Sequence, residues 1–211
     1  MIVVDIETSG NFEPQKIGIW QIGAVDFDNP KNTFLEESRI DEEDEIVKEA
    51  LMITGKTEKE LRNENKQPQK DLLKNFFDWA AKIENKTLVA HNTPFDYGFL
   101  FLRAKKYGLE FPFGYKTFDL HVIAAVKYFE INREFLMEEG NSKMNLPNIL
   151  QMCGMKDERI QMKDNKIIKE GKPHNALEDA KLTAECLSRI LYGKGLFEEY
   201  NILSIPEVLR K

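Results

Sequence analysis

The chain opens with MIVVDIETSG, an apolar run that ends in two acids, and this segment narrows the choice of fold more than any other. Residues 1–7 read as a buried strand. Side chains two apart on a strand share a face, so Asp5 and Glu7 converge. The plain account of a lone Asp-x-Glu is a pair of solvent-facing acids at a strand end. A very apolar strand makes that exposure harder to arrange, and the Thr8-Ser9-Gly10 turn leaves backbone room for a ligand. Converging carboxylates repel one another unless a positive charge sits among them. A hard divalent cation, which takes oxygen ligands, is the usual answer.

Two further segments carry matching chemistry. In LVAHNTPFDYGFL, a short strand delivers His91 and Asn92 to the start of a helix that holds Asp96. Thr93 reads as the N-cap and Pro94 as the first helical position, which makes Asp96 a candidate capping-box acid as well as a site edge. In KPHNALEDAKLTAE, Asn175 reads as an N-cap with Glu178 as its partner. His174 and Asp179 then fall on the two positions that usually form a hydrophobic staple. The bland alternative is a surface ion pair of little worth. Two polar groups in place of a staple make more sense if both face a ligand. A histidine is the commonest general base, and base, metal and carboxylates together can hydrolyse a phosphodiester.

The remaining pattern fits one domain of mixed class. Strands are expected over 1–7, 17–27 and 32–37, the last two joined by an Asp28-Asn29-Pro30 turn, as an antiparallel meander. The charged segment 41–66 holds helical fragments, with Thr57 and Glu60 as a capping box. Helices are expected over 71–83, 95–107 (closed by Gly108) and 175–192, with short strands over 87–90 and within 113–120. Residues 121–153 read as mostly helical, broken by Gly140 and Pro147. Residues 156–172 read as a loop or lid, and 194–211 as a tail without signal. Lys156, Arg159, Lys163, Lys166, Lys169 and Lys172 alternate there with Asp157, Glu158, Asp164 and Glu170. Such a mixture is usually a solvated loop, although beside His174 it could touch a phosphate backbone.

The formal charge of −6 rules out a global field that attracts nucleic acid, so any such site is a local groove helped by metal ions. Cys153 and Cys186, the only cysteines, lack metal-ligand spacing and argue against zinc and a disulfide scaffold. No apolar run is long enough to span a bilayer, and no signal peptide precedes the first strand, so a reducing cytoplasm is the expected home. The Gly-Lys-Thr in ITGKTEKE is not a P-loop, because Ala50 stands where glycine is needed. His121, two residues after Asp119, reads as structural.

Taken in order, VVDIET, HNTPFD and HNALEDA resemble the three exonuclease motifs of the DEDD superfamily. The histidine of the third places the resemblance with the DEDDh, or DnaQ-like, 3′–5′ exonucleases. QIGAVDF, TFDL and LPNILQMCGM are also similar to that family. The resemblance implies an α/β, ribonuclease H-like fold, a five-stranded mixed sheet flanked by helices, in a catalytic domain spanning 1–193. It implies that Asp5, Glu7, Asp96 and Asp179 bind two Mg²⁺ or Mn²⁺ ions, with Asp5 bridging them. Glu7 and Asp179 would hold the ion that activates water, Asp96 would serve the second, and His174 would take the water's proton. Such ions sit roughly 3.5–4 Å apart and clamp the attacking and leaving oxygens. The backbone near Thr8 and Ser9 would meet the terminal nucleotide, with Asn92 and Phe95 as further substrate contacts.

The expected reaction is removal of 5′-mononucleotides from the 3′ end of single-stranded DNA, as in proofreading or repair, with an exoribonuclease of the same family as the near alternative, since nothing in the sequence shows how a 2′-hydroxyl would be read. Proofreading members often carry a polymerase-binding tail, so a polymerase is an expected partner, yet SIPEVLRK at the end of this chain matches no tether. A non-catalytic nucleic-acid-binding module and a protein-interaction subunit are the alternatives. The complete set of acids and histidine argues against the first, since function lives in the site and not the fold, whereas in the second the acidic surface and the 121–145 excursion would matter most.

Overall fold

A computed structural model describes residues 1–11, 13–163 and 165–210; Asp164, one of the acids read in the 156–172 segment, lies outside them. Its centre is a five-stranded sheet of β1 (Ile2–Thr8), β2 (Ile19–Asp26), β3 (Thr33–Glu37), β4 (Leu88–Ala90) and β5 (Phe118–Asp119), in the order β3-β2-β1-β4-β5. The meander β1-β2-β3 is antiparallel, whereas β4 and β5 add to β1 in parallel. Parallel strands need crossovers, and helices supply them. Here α1 (Lys48–Thr54), α2 (Glu58–Leu61) and α3 (Gln69–Ala81) lead from β3 to β4 and α4 (Thr93–Tyr107) from β4 to β5, while α5 (Leu120–Asn132), α6 (Leu146–Met152) and α7 (Ala176–Tyr192) follow the sheet in sequence.

The two-residue period of β1 divides the core. Ile2, Val4 and Ile6 pack on one face with Leu72, Phe76, Phe99 and Leu100 from α3 and α4. Val3 packs on the other with Leu120, Ile149, Ala180 and Leu187 from α5, α6 and α7. Asp5 and Glu7 continue the face of Val3, so the apolar pattern of the strand aims both acids at α7. Every residue of β2 is buried, as expected of a strand covered on both faces. A buried ion pair, Arg103 Nη2 to Asp44 Oδ1 at 2.7 Å, pins the charged 41–66 excursion to α4. No helix among the described residues is long and apolar enough to cross a membrane.

The structure adds detail in three places. Residues 121–153 are mostly helical, as α5 and α6, and the interruption between them is a hairpin of β6 (Met137–Glu138) and β7 (Asn141–Ser142). Glu139 and Gly140 both take positive φ, the requirement of a two-residue hairpin turn, so Gly140 makes a turn rather than a helix break. The 156–172 segment holds a second hairpin, β8 (Gln161–Lys163) and β9 (Lys166–Lys169), in place of a structureless loop. The tail is also anchored. Glu185 and Arg189 form a buried pair on α7, and Glu185 Oε2 accepts the N–H groups of Leu196 and Phe197 while Arg189 donates to the Tyr200 carbonyl.

One contact sets where α7 begins. A Cβ on Gly23 would lie 2.1 Å from the backbone nitrogen of Leu177 and 2.2 Å from the carbonyl carbon of Ala176. Beside it, Gln21 Oε1 accepts the Ala176 N–H at 2.8 Å. Gly23 and Gln21 of β2 therefore seat the first turn of α7, which carries Asp179. We expect Gly23→Ala to force the backbones apart and cost about 1–3 kcal/mol, the usual penalty of overpacking. Chemical denaturation measures it; an unchanged midpoint would show that the helix seat tolerates movement.

Candidate active site

The site lies at the carboxyl ends of the parallel strands β1 and β4, where open α/β sheets usually bind ligands. β1 delivers Asp5 and Glu7, the start of α4 delivers Asp96, and the start of α7 delivers Asp179 with His174 just before it. Glu7, Asp96 and Asp179 are buried and Asp5 is partly so. Glu7, His174 and Asp179 each offer a ligand atom such that all lie within 4.8 Å of one another. Asp5 and Asp96 stand outside that tight triplet but are joined to it by charge.

Local sequence explains the placement. Asn175 caps α7, its side chain accepting the N–H groups of Leu177 and Glu178. That cap puts His174 and Asp179 on the staple positions, and His174 Nδ1 lies 3.1 Å from Asp179 Oδ2. The backbone of His174 is held from outside, its N–H donating to the Ile53 carbonyl. The start of α4 differs from the expectation. Asn92, in the left-handed region at φ 66°, is the N-cap, and Thr93 is the first helical residue. The Thr93 hydroxyl turns back to the sheet, donating to the Phe118 carbonyl at 2.6 Å and accepting the Ala90 N–H. Asp96 is thus the fourth helical residue, past the capping-box position. The backbone N–H groups of Ile6 and of Asp96 itself favour its charged form, against the larger effect of burial.

The substrate-contact expectations divide. Ser9 is fully buried and its groups are engaged: the hydroxyl donates to the Glu45 carbonyl, the N–H to the Gly18 carbonyl, and its carbonyl accepts the Val47 N–H. It props the site from beneath and has no free polar group for a nucleotide. The Thr8 hydroxyl is likewise turned to the Gly10 carbonyl at 2.5 Å. Asn92 is exposed, and the Phe95 ring packs at a tilt of 44° against Phe99, centroids 4.7 Å apart, and is partly accessible. His91 bonds the Met144 carbonyl, as a structural histidine does.

Two residues of the site were not legible as such. Arg159, 8% exposed, donates from Nη1 to Asp179 Oδ2 at 2.8 Å. Asp119 caps α5 and accepts the Asn92 and His121 N–H groups, and its charge reaches Asp96. Arg159 sits in a stretch of alternating charges that looks like solvated loop, so nothing in its local pattern marks it. Asp119 was legible only as an element boundary.

The electrostatics are those of an acid cluster with too few cations. Burial pushes the Glu7 carboxyl up to about 8, and Asp179 adds to it against His174 and Arg159. Burial, then Asp179, Asp96 and Glu7, hold Asp5 well above the carboxylate range. Burial also raises Asp96, with Asp119 and Glu7 adding to it. For His174, burial lowers the imidazole, but the hydrogen bond and charge of Asp179 outweigh it and leave the group above its usual value. Two carboxylate oxygens, Glu7 Oε1 and Asp179 Oδ1, are buried without a hydrogen-bond partner. Unpaired buried acceptors are costly, and two in one acid cluster suit an oxygen-seeking divalent cation. The donor set, carboxylates with one imidazole and no thiolate, fits Mg²⁺ or Mn²⁺.

All four perturbed groups titrate higher in the fold than in the unfolded chain. Each keeps a proton that the unfolded chain has already released, so their stabilisation is complete at low pH and is lost as pH rises. For Glu7 the window runs from 4.5 to about 8. We expect the unfolding free energy in EDTA to fall between about pH 5 and pH 8 by roughly 1.4 kcal/mol per retained proton per pH unit, and Tm to fall with it. Mg²⁺, which binds the deprotonated acids, should flatten the slope. A Tm that rises over this interval in EDTA would contradict the assignment.

Comparison with known proteins fits this geometry. The RNase_T family model, described as Exonuclease, matches residues 2–187. The DNA polymerase III PolC-type of Thermotoga petrophila is 29% identical over 213 residues, covering 98% of this chain. This chain spans only 13% of that protein's length. The nuclease domain of 3′hExo, a DEDDh family member solved bound to rAMP, superposes with a TM-score of 0.62 at 17% identity, covering 98% of this chain and 95% of that one. S. pombe Pop2p, solved in a Mg²⁺- and Mn²⁺-bound form, superposes with a TM-score of 0.51 at 17% identity, covering 98% and 89%. The sheet order with helices on both faces is the ribonuclease H-like fold. With four acids and a histidine in DEDDh order on that fold, the chain belongs to the exonuclease family.

Proposed function

We propose that this chain is a metal-dependent 3′–5′ exonuclease that shortens single-stranded nucleic acid, DNA in first place, and releases 5′-mononucleotides. The observation that carries the reading is the pair of unpartnered buried oxygens, Glu7 Oε1 and Asp179 Oδ1, beside His174. Asp5, Glu7, Asp96 and Asp179 would hold two Mg²⁺ or Mn²⁺ ions. Such ions neutralise phosphate charge and lower the pKa of bound water.

The chain's own groups do the rest. His174 is the base that takes the proton of the attacking water. Its Nε2 faces the Ile160 carbonyl at 3.0 Å, an acceptor only, so that nitrogen keeps its proton. Nδ1 faces Asp179 Oδ2 at 3.1 Å, a second acceptor, so the ring releases one of these two partners when it takes the water's proton. Thr8 contributes backbone contacts to the terminal nucleotide, Asn92 an exposed amide, and Phe95 a ring face for base stacking. In this reading residues 1–193 are the exonuclease unit and 194–211 a short appended tail. The PolC-type relative favours DNA and association with a polymerase. The rAMP bound to 3′hExo favours RNA as the second reading.

Matched 5′-labelled DNA and RNA oligonucleotides test this directly. Stepwise loss from the 3′ end is expected with Mg²⁺ or Mn²⁺ and not with EDTA. Asp5→Ala should abolish it with the fold intact, and His174→Ala should slow it by about 10²–10⁴-fold, the usual contribution of a general base. Undiminished turnover in Asp5→Ala would defeat the proposal, and the faster of the two polymers decides the substrate class.

A further inference from the structure

Among the described residues of the 156–172 segment, Arg159 and Ile160 reach the acid cluster. They lie at the base of the segment, where Ile160 N–H donates to the Lys172 carbonyl and Lys172 N–H to the Glu158 carbonyl. Gly171 permits this approach, since a Cβ there would lie 2.4 Å from the Glu158 carbonyl oxygen. From this base the side chain of Arg159 reaches Asp179, and the carbonyl of Ile160 meets His174 Nε2.

The guanidinium is fixed before it reaches Asp179. Nε lies 2.9 Å from Asp157 Oδ1 and Nη2 lies 3.1 Å from Asp157 Oδ2, a two-point grip that leaves Nη1 to donate to Asp179 Oδ2. Planar two-point pairing of this kind restricts orientation as well as distance. The two oxygens of Asp179 therefore differ. Oδ2 is shared by Arg159 Nη1 and His174 Nδ1, whereas Oδ1 is buried and unpartnered, as is Glu7 Oε1.

We propose that Arg159 is a positioning residue that clamps Oδ2 of Asp179 and so presents Oδ1, together with Glu7 Oε1, to the divalent cation. The inference rests on the metal-dependent reading above and adds to it a residue outside the three motifs. Asp157 acts one step further out by orienting Arg159. A contact with the substrate phosphate is disfavoured, because the guanidinium is buried and already shared between two carboxylates. A role as a competing counter-ion is disfavoured because the unpartnered oxygen is the one that Arg159 leaves free. Hydrogen-bond partners of metal ligands typically change metal affinity by 10–100-fold when removed.

The test is Mn²⁺ titration of the full chain, followed by loss of the free-ion electron paramagnetic resonance signal. The proteins are wild type, Arg159→Gln, Arg159→Lys, Asp157→Asn and Glu158→Ala. Arg159→Gln should bind Mn²⁺ about 10–100-fold more weakly, Arg159→Lys should recover part of the loss, and Asp157→Asn should shift the same way. Glu158→Ala, a change at an exposed neighbour, should match wild type. Excess Mn²⁺ should restore turnover of Arg159→Gln with KM for the oligonucleotide unchanged. Equal or tighter Mn²⁺ binding by Arg159→Gln overturns the proposal, as does a raised KM with Mn²⁺ affinity intact. If Arg159→Gln fails to fold by circular dichroism, folded Asp157→Asn decides, and wild-type Mn²⁺ affinity there overturns the proposal. A wild-type protein that binds no Mn²⁺ removes the metal-dependent reading itself, and this inference with it.

Discussion

Mutual repulsion among buried carboxylates is the constraint on which the rest of this structure depends. Asp5, Glu7, Asp96 and Asp179 meet in a corner where water is scarce, and burial raises Asp5, Glu7 and Asp96. Left alone, like charges in such a place either take up protons or push the elements apart. Among the described residues the protein sets Arg159 against them, and His174 when it is protonated. Arg159 and His174 both stand on the same oxygen of Asp179, and that leaves two other oxygens without a partner. The deficit is local and has a sign, which is why it points to a divalent cation rather than to a larger basic surface.

The scaffold makes that deficit sustainable. β1 is buried along its length, and its alternation sends Ile2, Val4 and Ile6 into one core while Asp5 and Glu7 face α7. The first turn of α7 has no freedom to retreat, because it packs on the bare backbone of Gly23 and is bonded by Gln21. At its far end the same helix is fixed to the tail through the buried Glu185–Arg189 pair. α4 is held to the sheet by the hydroxyl of Thr93, which bonds the Phe118 carbonyl. The acids are therefore brought together by packing that does not depend on any attraction between them.

Much of this was legible in the sequence because it rests on short-range periodicity. The two-residue spacing of Asp5 and Glu7 gave a shared face, and the cap at Asn175 gave the contact between His174 and Asp179. The exceptions arise where the deciding partner is remote. Thr93 looks like a cap, but its hydroxyl is claimed by the carbonyl of Phe118 across the sheet. Ser9 looks like an exposed turn residue, but Glu45, Gly18 and Val47 claim its polar groups. Both hairpins, at 137–142 and 161–169, are short and poor in buried side chains, so no strong alternation announces them. Arg159 is the sharpest case: its bond to Asp179 joins residues 20 apart in sequence, and only the fold brings them together.

The most direct test of a cation-seeking acid cluster is a crystal soaked in Mn²⁺ and measured for anomalous scattering. Density bounded by Asp5, Glu7 and Asp179, with ligand distances near those of Mn–oxygen bonds and a second peak toward Asp96, is the result this account predicts. A soaked crystal with no anomalous density there, or with ions bound only at the surface, would contradict it.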